Sequence, residues 1–234
     1  MKQYKAVFLD WDDSIGDWTG AEHKALQDIY SAYHLNELYD TFSDYLAAYR
    51  PYNLDLWGMY GRHEVSKEKL QFERFHHPLM ATPEPTFRNR SKEELAYEIA
   101  DEFLRLTNKY FTLMPESDRV VRALAAKYPL TIISNGFREV QYYKFTHSGL
   151  KDCLRHMLVS DEVGINKPQP GIFHRALELN GVNADEAVMI GDSYSSDIAG
   201  AKGVGIDQIW LHEGETEETA TFKVARLTDV LDIL

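Results

Sequence analysis

The sequence predicts an α/β protein built on a doubly wound parallel sheet and interrupted once by a helical insertion. Three observations carry this reading. Short apolar runs recur at residues 4–9, 130–133, 157–159, 187–190 and 206–211, each closed by polar or glycine-bearing residues. The runs are continuous rather than alternating, as strands covered on both faces should be. Between them lie stretches of helical spacing, such as Val120-Val121-Leu124-Ala125 and Ile172-Phe173-Ala176-Leu177. Strands alternating with helices imply a parallel sheet.

The first run ends in three carboxylates within four positions, Asp10, Asp12 and Asp13, although Asp is a poor strand residue and crowded acids repel. After it the rhythm stops. Residues 18–113 hold 17 of the 29 aromatics but 3 of the 14 glycines. Residues 21–33 and 92–110 have the spacing of amphipathic helices, and Pro51, Pro78, Pro83 and Pro85 are expected to mark breaks between helices. This stretch is expected to form a helical cap domain of residues 18–113, set into a core domain of residues 1–17 and 114–234. Trp57, Met59, Tyr60, Arg62 and His63 fall at an expected bend of the cap that could face the site. The acidic stretch LHEGETEETATFK reads as a solvated loop, followed by a last short strand at 222–225.

Composition narrows the partners. Lys plus Arg number 25 against 37 Asp plus Glu, a formal charge of −12. That argues against a nucleic-acid polymer or an anionic membrane surface. A small anionic substrate is compatible only if a cation is recruited locally. The single cysteine, Cys153, cannot form an internal disulfide, which fits a reducing cytoplasm. It reads as a small buried apolar residue. No apolar run approaches the roughly 18–20 residues needed to span a bilayer.

In an open parallel sheet, ligands bind beyond the carboxyl ends of the strands. Strand one ends in Asp10-Trp11-Asp12-Asp13-Ser14, and strand two in Ser134-Asn135-Gly136. Lys167 follows strand three within SDEVGINKPQP, and strand four ends in Gly191-Asp192 with Asp197 five residues on. Taken together, DxDx[TS], a hydrophobic run ending in Ser, a Lys, and Gly-Asp with a further Asp resemble the haloacid dehalogenase (HAD) superfamily of hydrolases. Any one motif is weak; the ordered set is specific, and it spans both ends of the chain.

That resemblance implies a Rossmann-like core and a defined chemistry. Asp10 would attack phosphorus and become an aspartyl-phosphate. A carboxylate suits this role because it is ionised without help from a base. Asp12 would act as general acid and then general base; dehalogenases of the superfamily lack an acid here, so Asp12 favours a phosphatase. Lys167 would offset charge on Asp10 and the phosphoryl oxygens. Ser134 with the backbone amides of Asn135 and Gly136 would hold the phosphate at a helix start. Mg²⁺ would be held by the side chains of Asp10 and Asp192 and the carbonyl of Asp12. Asp197 would orient Lys167 or a water on the metal. Asp13 is expected to be a turn residue, and His76-His77 lacks the partners of a zinc site.

Within the superfamily, ISNGF, SDEVGINKPQPGIF and MIGDSYSSDIAGAKGVGI resemble pyrimidine 5′-nucleotidases and acylneuraminate-9-phosphatases. The substrate implied is a small phosphorylated metabolite, with a nucleoside 5′-monophosphate as the first to test. Alternatives are a phosphomutase, a phosphosugar or acylneuraminate phosphatase, and a catalytically silent HAD-like binding module.

Overall fold

A computed structural model describes residues 2–234. In chain order the elements are β1 (Ala6–Leu9), α1 (Trp18–Ala32), α2 (Phe42–Gly61), α3 (Lys67–Leu79), β2 (Thr86–Phe87), β3 (Arg90–Ser91) and α4 (Lys92–Tyr110). There follow α5 (Ser117–Ala125), β4 (Leu130–Ser134), α6 (Arg138–His147), β5 (His156–Val159), α7 (Ser160–Val163) and α8 (Pro170–Asn180). The chain ends with β6 (Ala187–Gly191), α9 (Ala199–Gly203), β7 (Asp207–Leu211) and β8 (Phe222–Val224). They fall into two compact units. One joins the chain up to Thr19 with Phe111–Leu234, and the other is Gly20–Tyr110.

The first unit is a six-stranded sheet in the order β5-β4-β1-β6-β7-β8, with every pairing parallel. Side chains alternate across a strand, and in β1 both sets are buried. Val7 and Leu9 join Ile132, Val188, Ile190 and the α5 residues Val120, Val121 and Leu124. Ala6 and Phe8 join Ile133, Met189 and the α8 residues Ile172, Phe173 and Ala176. Two covered faces account for the unbroken apolar runs.

Close packing on the second face makes a test. A Cβ at Gly200 would lie 2.5 Å from the Phe173 ring and 3.0 Å from the Pro168 Cα. Phe173 is fully buried, so it has no room to yield. Gly200→Ala is expected to destabilise this unit by about 1–3 kcal/mol through overpacking. A urea midpoint equal to that of the parent would contradict the packing.

The chain leaves and re-enters the sheet unit through two tied segments. The Asp17 amide donates to the Thr112 carbonyl at 2.9 Å, and the Met114 amide to the Ile15 carbonyl at 2.8 Å. Gly16 and Leu113 form a bridge between them. Phe111 stacks on Trp11 with centroids 6.5 Å apart. The two units divide at 19/20 and 110/111, against the expected 17/18 and 113/114.

The second unit is helical, with one small exception. Thr41 caps α2 and pairs reciprocally with Asp44 in a capping box. An aromatic core holds Tyr45, Tyr49, Phe75 and Phe103. The Arg74 guanidinium is buried against it, 4.6 Å from the Phe103 ring centre. Two expected breaks are corrected: Pro51 lies inside α2 and Pro78 inside α3. Tyr45, Leu46 and Tyr49 before Pro51 and Leu56 after it are all buried, and that packing outweighs a proline penalty of about 3 kcal/mol. The bend falls after Gly61, with His63 at φ 60°, so Arg62 and His63 lie at it while Trp57, Met59 and Tyr60 lie within α2. The exception is the antiparallel ribbon of β2 and β3, turned by Arg88 and Asn89 at φ 52° and 60°. Left-handed values at both turn residues mark a hairpin that usually carries glycine, and Arg88-Asn89 has none.

Candidate active site

Every polar group expected at a strand end is found at the carboxyl edge of the sheet unit. Asp10 follows β1 directly, and its amide donates to the Ile190 carbonyl of β6 at 2.9 Å. Asp192 follows β6, and Asp197 lies in the π-helical turn Tyr194–Ile198 behind it. Carboxylate oxygens of Asp10, Asp192 and Asp197 all lie within 4.8 Å of one another. Lys167 reaches this cluster from the loop before α8. Its ammonium donates to Asp10 and sits 2.7 Å from Asp197 Oδ1. Asp10, Lys167 and Asp197 are all buried.

Charge at this depth moves the titrations. Burial pushes Asp10 well above the ordinary carboxylate range; Lys167 opposes the shift, while Asp197, Asp192 and Asp12 add to it. Burial works against the Lys167 ammonium as well, but Asp10 and Asp197 outweigh it and its pKa rises above the usual lysine value. Asp192 is pushed up to about 6 by burial and by Asp197, against a hydrogen bond from Ser14.

Local geometry fixes each group. The Ser14 hydroxyl donates to Asp192 Oδ1 at 3.1 Å and accepts from the Asp192 amide at 3.1 Å. Trp210 Nε1 donates to the Asp192 carbonyl at 2.8 Å. Asp197 Oδ2 accepts from the Ser193 amide at 3.1 Å. A Cβ at Gly191 would lie 2.3 Å from Asp197 Oδ2, so glycine there makes room for that carboxylate. Asp13, at φ 58°, accepts from the Thr19 amide and hydroxyl, both at 2.8 Å. It is the turn residue expected.

The Ser134-Asn135-Gly136 turn departs from expectation in detail. Helix α6 begins two residues later, at Arg138, and Phe137 caps it without a side-chain bond. The Gly136 amide is occupied, donating to Ser134 Oγ at 3.1 Å. A hydroxyl has one donor and two acceptor sites, so Ser134 keeps its O–H for another acceptor. The Asn135 side chain holds the backbone of Lys167, accepting from its amide at 2.8 Å and donating to its carbonyl at 2.9 Å. Cys153 is half-buried, with an Arg122 nitrogen 3.8 Å from its sulfur, rather than fully buried.

Asp12 stands apart from the acid cluster. Its carboxylate accepts from Gln141 Nε2 at 2.7 Å and from the Lys144 ammonium. Neither α6 residue was singled out in the sequence. The available signal is a Gln and a Lys three apart, one face of a helix, just after a polar strand end. The His76-His77 pair faces aromatic rings: His77 stacks on Tyr52 at 3.9 Å and His76 on Phe72 at 4.7 Å.

No helix is long and apolar enough to cross a membrane among the described residues. Residues 52–211 match the family model for haloacid dehalogenase-like hydrolases. The chain is 27% identical over 234 residues to the pyrimidine 5′-nucleotidase YjjG of Escherichia coli, covering 97% of this chain and 96% of that protein. It is 26% identical over 238 residues to the pyrimidine 5′-nucleotidase PynA of Streptococcus pneumoniae, covering 99% and 95%. The solved structure of YfnB from Bacillus subtilis, bound to magnesium, superposes with a TM-score of 0.80 at 23% identity over 99% of both chains. With a parallel sheet of this order, its polar groups gathered at one edge, and a family match across most of its length, the chain belongs to the haloacid dehalogenase-like hydrolases.

Proposed function

We propose that this hydrolase is a phosphomonoesterase working through an aspartyl-phosphate on Asp10. The observation that carries the reading is the contrast between its two carboxylates. Asp10 is buried against Lys167. Asp12, two residues on, is 26% exposed at its side chain and held by its own pair of donors. Two carboxylates in unlike environments divide into nucleophile and acid/base. A dehalogenase expels halide, which takes no proton, and so needs no acid for its leaving group.

In this reading an Asp10 oxygen bonds to phosphorus as the bond to the leaving oxygen breaks, and Asp12 gives that oxygen its proton. Water then bonds to phosphorus, Asp12 takes the water proton, and the bond to Asp10 breaks to release phosphate. Such proton transfer is worth about 10²–10⁴-fold. Lys167 offsets charge on Asp10 and the phosphoryl oxygens, Ser134 donates its hydroxyl to one of them, and Asp197 with Asn135 keeps Lys167 in place.

The donor set fits Mg²⁺. Asp10, Asp192 and Asp197 offer only hard oxygen ligands, and the three carboxylates outnumber the one ammonium, Lys167, that faces them. A hard dication suits that excess. Asp10 and Asp192 would hold it, with the Asp12 carbonyl. When bound, it would neutralise charge between nucleophile and phosphate. Asp192→Ala is expected to raise the Mg²⁺ half-saturation concentration at least about tenfold. Tryptophan fluorescence can follow this, because Trp210 Nε1 donates to the Asp192 carbonyl. An unchanged titration would remove Asp192 from the metal site.

The two nucleotidase relatives support a nucleoside 5′-monophosphate as substrate, and residues 18–113 as the cap that selects the leaving group. The test is phosphate release with Mg²⁺ from pyrimidine and purine nucleoside 5′-monophosphates, sugar phosphates, phosphoserine and glyceraldehyde 3-phosphate. Pyrimidine nucleotides are expected to lead. Release that requires a sugar bisphosphate would point to a phosphomutase, and no release from any monoester would leave a silent binding module.

A further inference from the structure

We infer that Gln141 and Lys144 are positioning residues for Asp12, a role that rests on the phosphomonoesterase reading above. Both sit on one face of α6, three residues apart, and both are buried. Gln and Lys are mostly exposed, and a buried lysine is nearly always paired. Here both polar ends converge on a single carboxylate. Gln141 Nε2 takes Asp12 Oδ2 at 2.7 Å, and the Lys144 ammonium takes Oδ1. One donor on each oxygen fixes the plane of the carboxylate as well as its position.

Two further contacts hold the clamp in turn. The Lys144 ammonium lies 4.3 Å from the centre of the Trp18 ring, a cation–π contact that limits where else it can go. A Cβ at residue 136 would lie 1.9 Å from Gln141 Nε2 and 2.7 Å from its amide carbon. Glycine in the Ser134-Asn135-Gly136 turn therefore leaves room for Gln141 to hold this position, from which a Cβ would displace it. The donors are buried and the carboxylate they hold is partly exposed. That is the arrangement needed by an acid/base that must meet a leaving oxygen at about 2.6–3.2 Å, where a misplacement of 1 Å can cost ~10²-fold.

The test separates positioning from mere stabilisation. Gln141→Met and Lys144→Met are assayed on an alkyl phosphate, whose leaving oxygen needs a proton, and on p-nitrophenyl phosphate, whose phenolate does not. First-turnover leaving-group release is expected to fall about 10–100-fold on the alkyl ester. On the aryl ester the loss should be at least about tenfold smaller. Equal losses on both esters would overturn the inference. Crystal structures of the same variants give a readout that needs no activity, with the Asp12 carboxylate expected to be rotated out of its parent orientation. Asp12 unmoved in both variants would also overturn it. A parent enzyme inert towards these esters and towards every nucleoside 5′-monophosphate would end the phosphomonoesterase reading instead, and the Asp12 orientation would still decide whether the clamp positions it. If Lys144→Met does not fold, Gln141→Met carries both measurements alone.

Discussion

Asp10→Asn is expected to abolish phosphate release, by about 10⁴-fold or more, while the protein stays folded. The amide keeps the shape of the carboxylate but cannot form the phosphoryl ester, and loss of a nucleophile is among the largest single-residue effects in hydrolases. Folding should survive. Burial already pushes the Asp10 carboxyl towards its neutral form, so a neutral side chain relieves repulsion from Asp192 and Asp197. Lys167 keeps its partner Asp197 at 2.7 Å. The check pairs phosphate release with urea unfolding, and the unfolding free energy should stay within about 1 kcal/mol of the parent. Turnover near the parent rate would remove Asp10 as nucleophile.

Lys167→Met is expected to cost about 3–5 kcal/mol of stability as well as activity. The ammonium is the shared partner of two buried carboxylates, Asp10 and Asp197. Removing the ammonium leaves both buried carboxyl groups without the cation they share, at far greater cost than never having built the group. Methionine fills the space, so the loss reports charge rather than a cavity. Added Mg²⁺ should restore part of the stability in urea unfolding, because a cation among the same carboxylates replaces some of the missing charge. A variant as stable as the parent would contradict the ammonium's part in holding these two acids together.

The two predictions rest on residues that could be read from the chain, and the reason is physical. A strand buried on both faces must be apolar at every position, so Ala6–Leu9 and Ala187–Gly191 stand out without any alternation. Polar groups placed directly after such runs have one edge to gather at, which brought Asp10, Lys167, Asp192 and Asp197 within reach of one another. Gln141 and Lys144 were not legible, because polar residues on a helix normally face water and their burial is a property of the assembled unit. The occupied amide of Gly136 was hidden for the same reason: an SNG turn suggests free N–H groups, and the Ser134 hydroxyl that takes one is a local choice of conformation. Pro51 misled because a propensity penalty is fixed while the packing of Tyr45, Tyr49 and Leu56 varies with context.

The paired connectors at Asp17–Thr112 and Ile15–Met114 carry a consequence for how such proteins diversify. Departure and return lie side by side, and the entropy of closing a loop between them grows only slowly with its length. A lineage could therefore exchange everything from residue 20 to residue 110 as one cassette, long or short, and keep unaltered the sheet unit that carries the acid cluster.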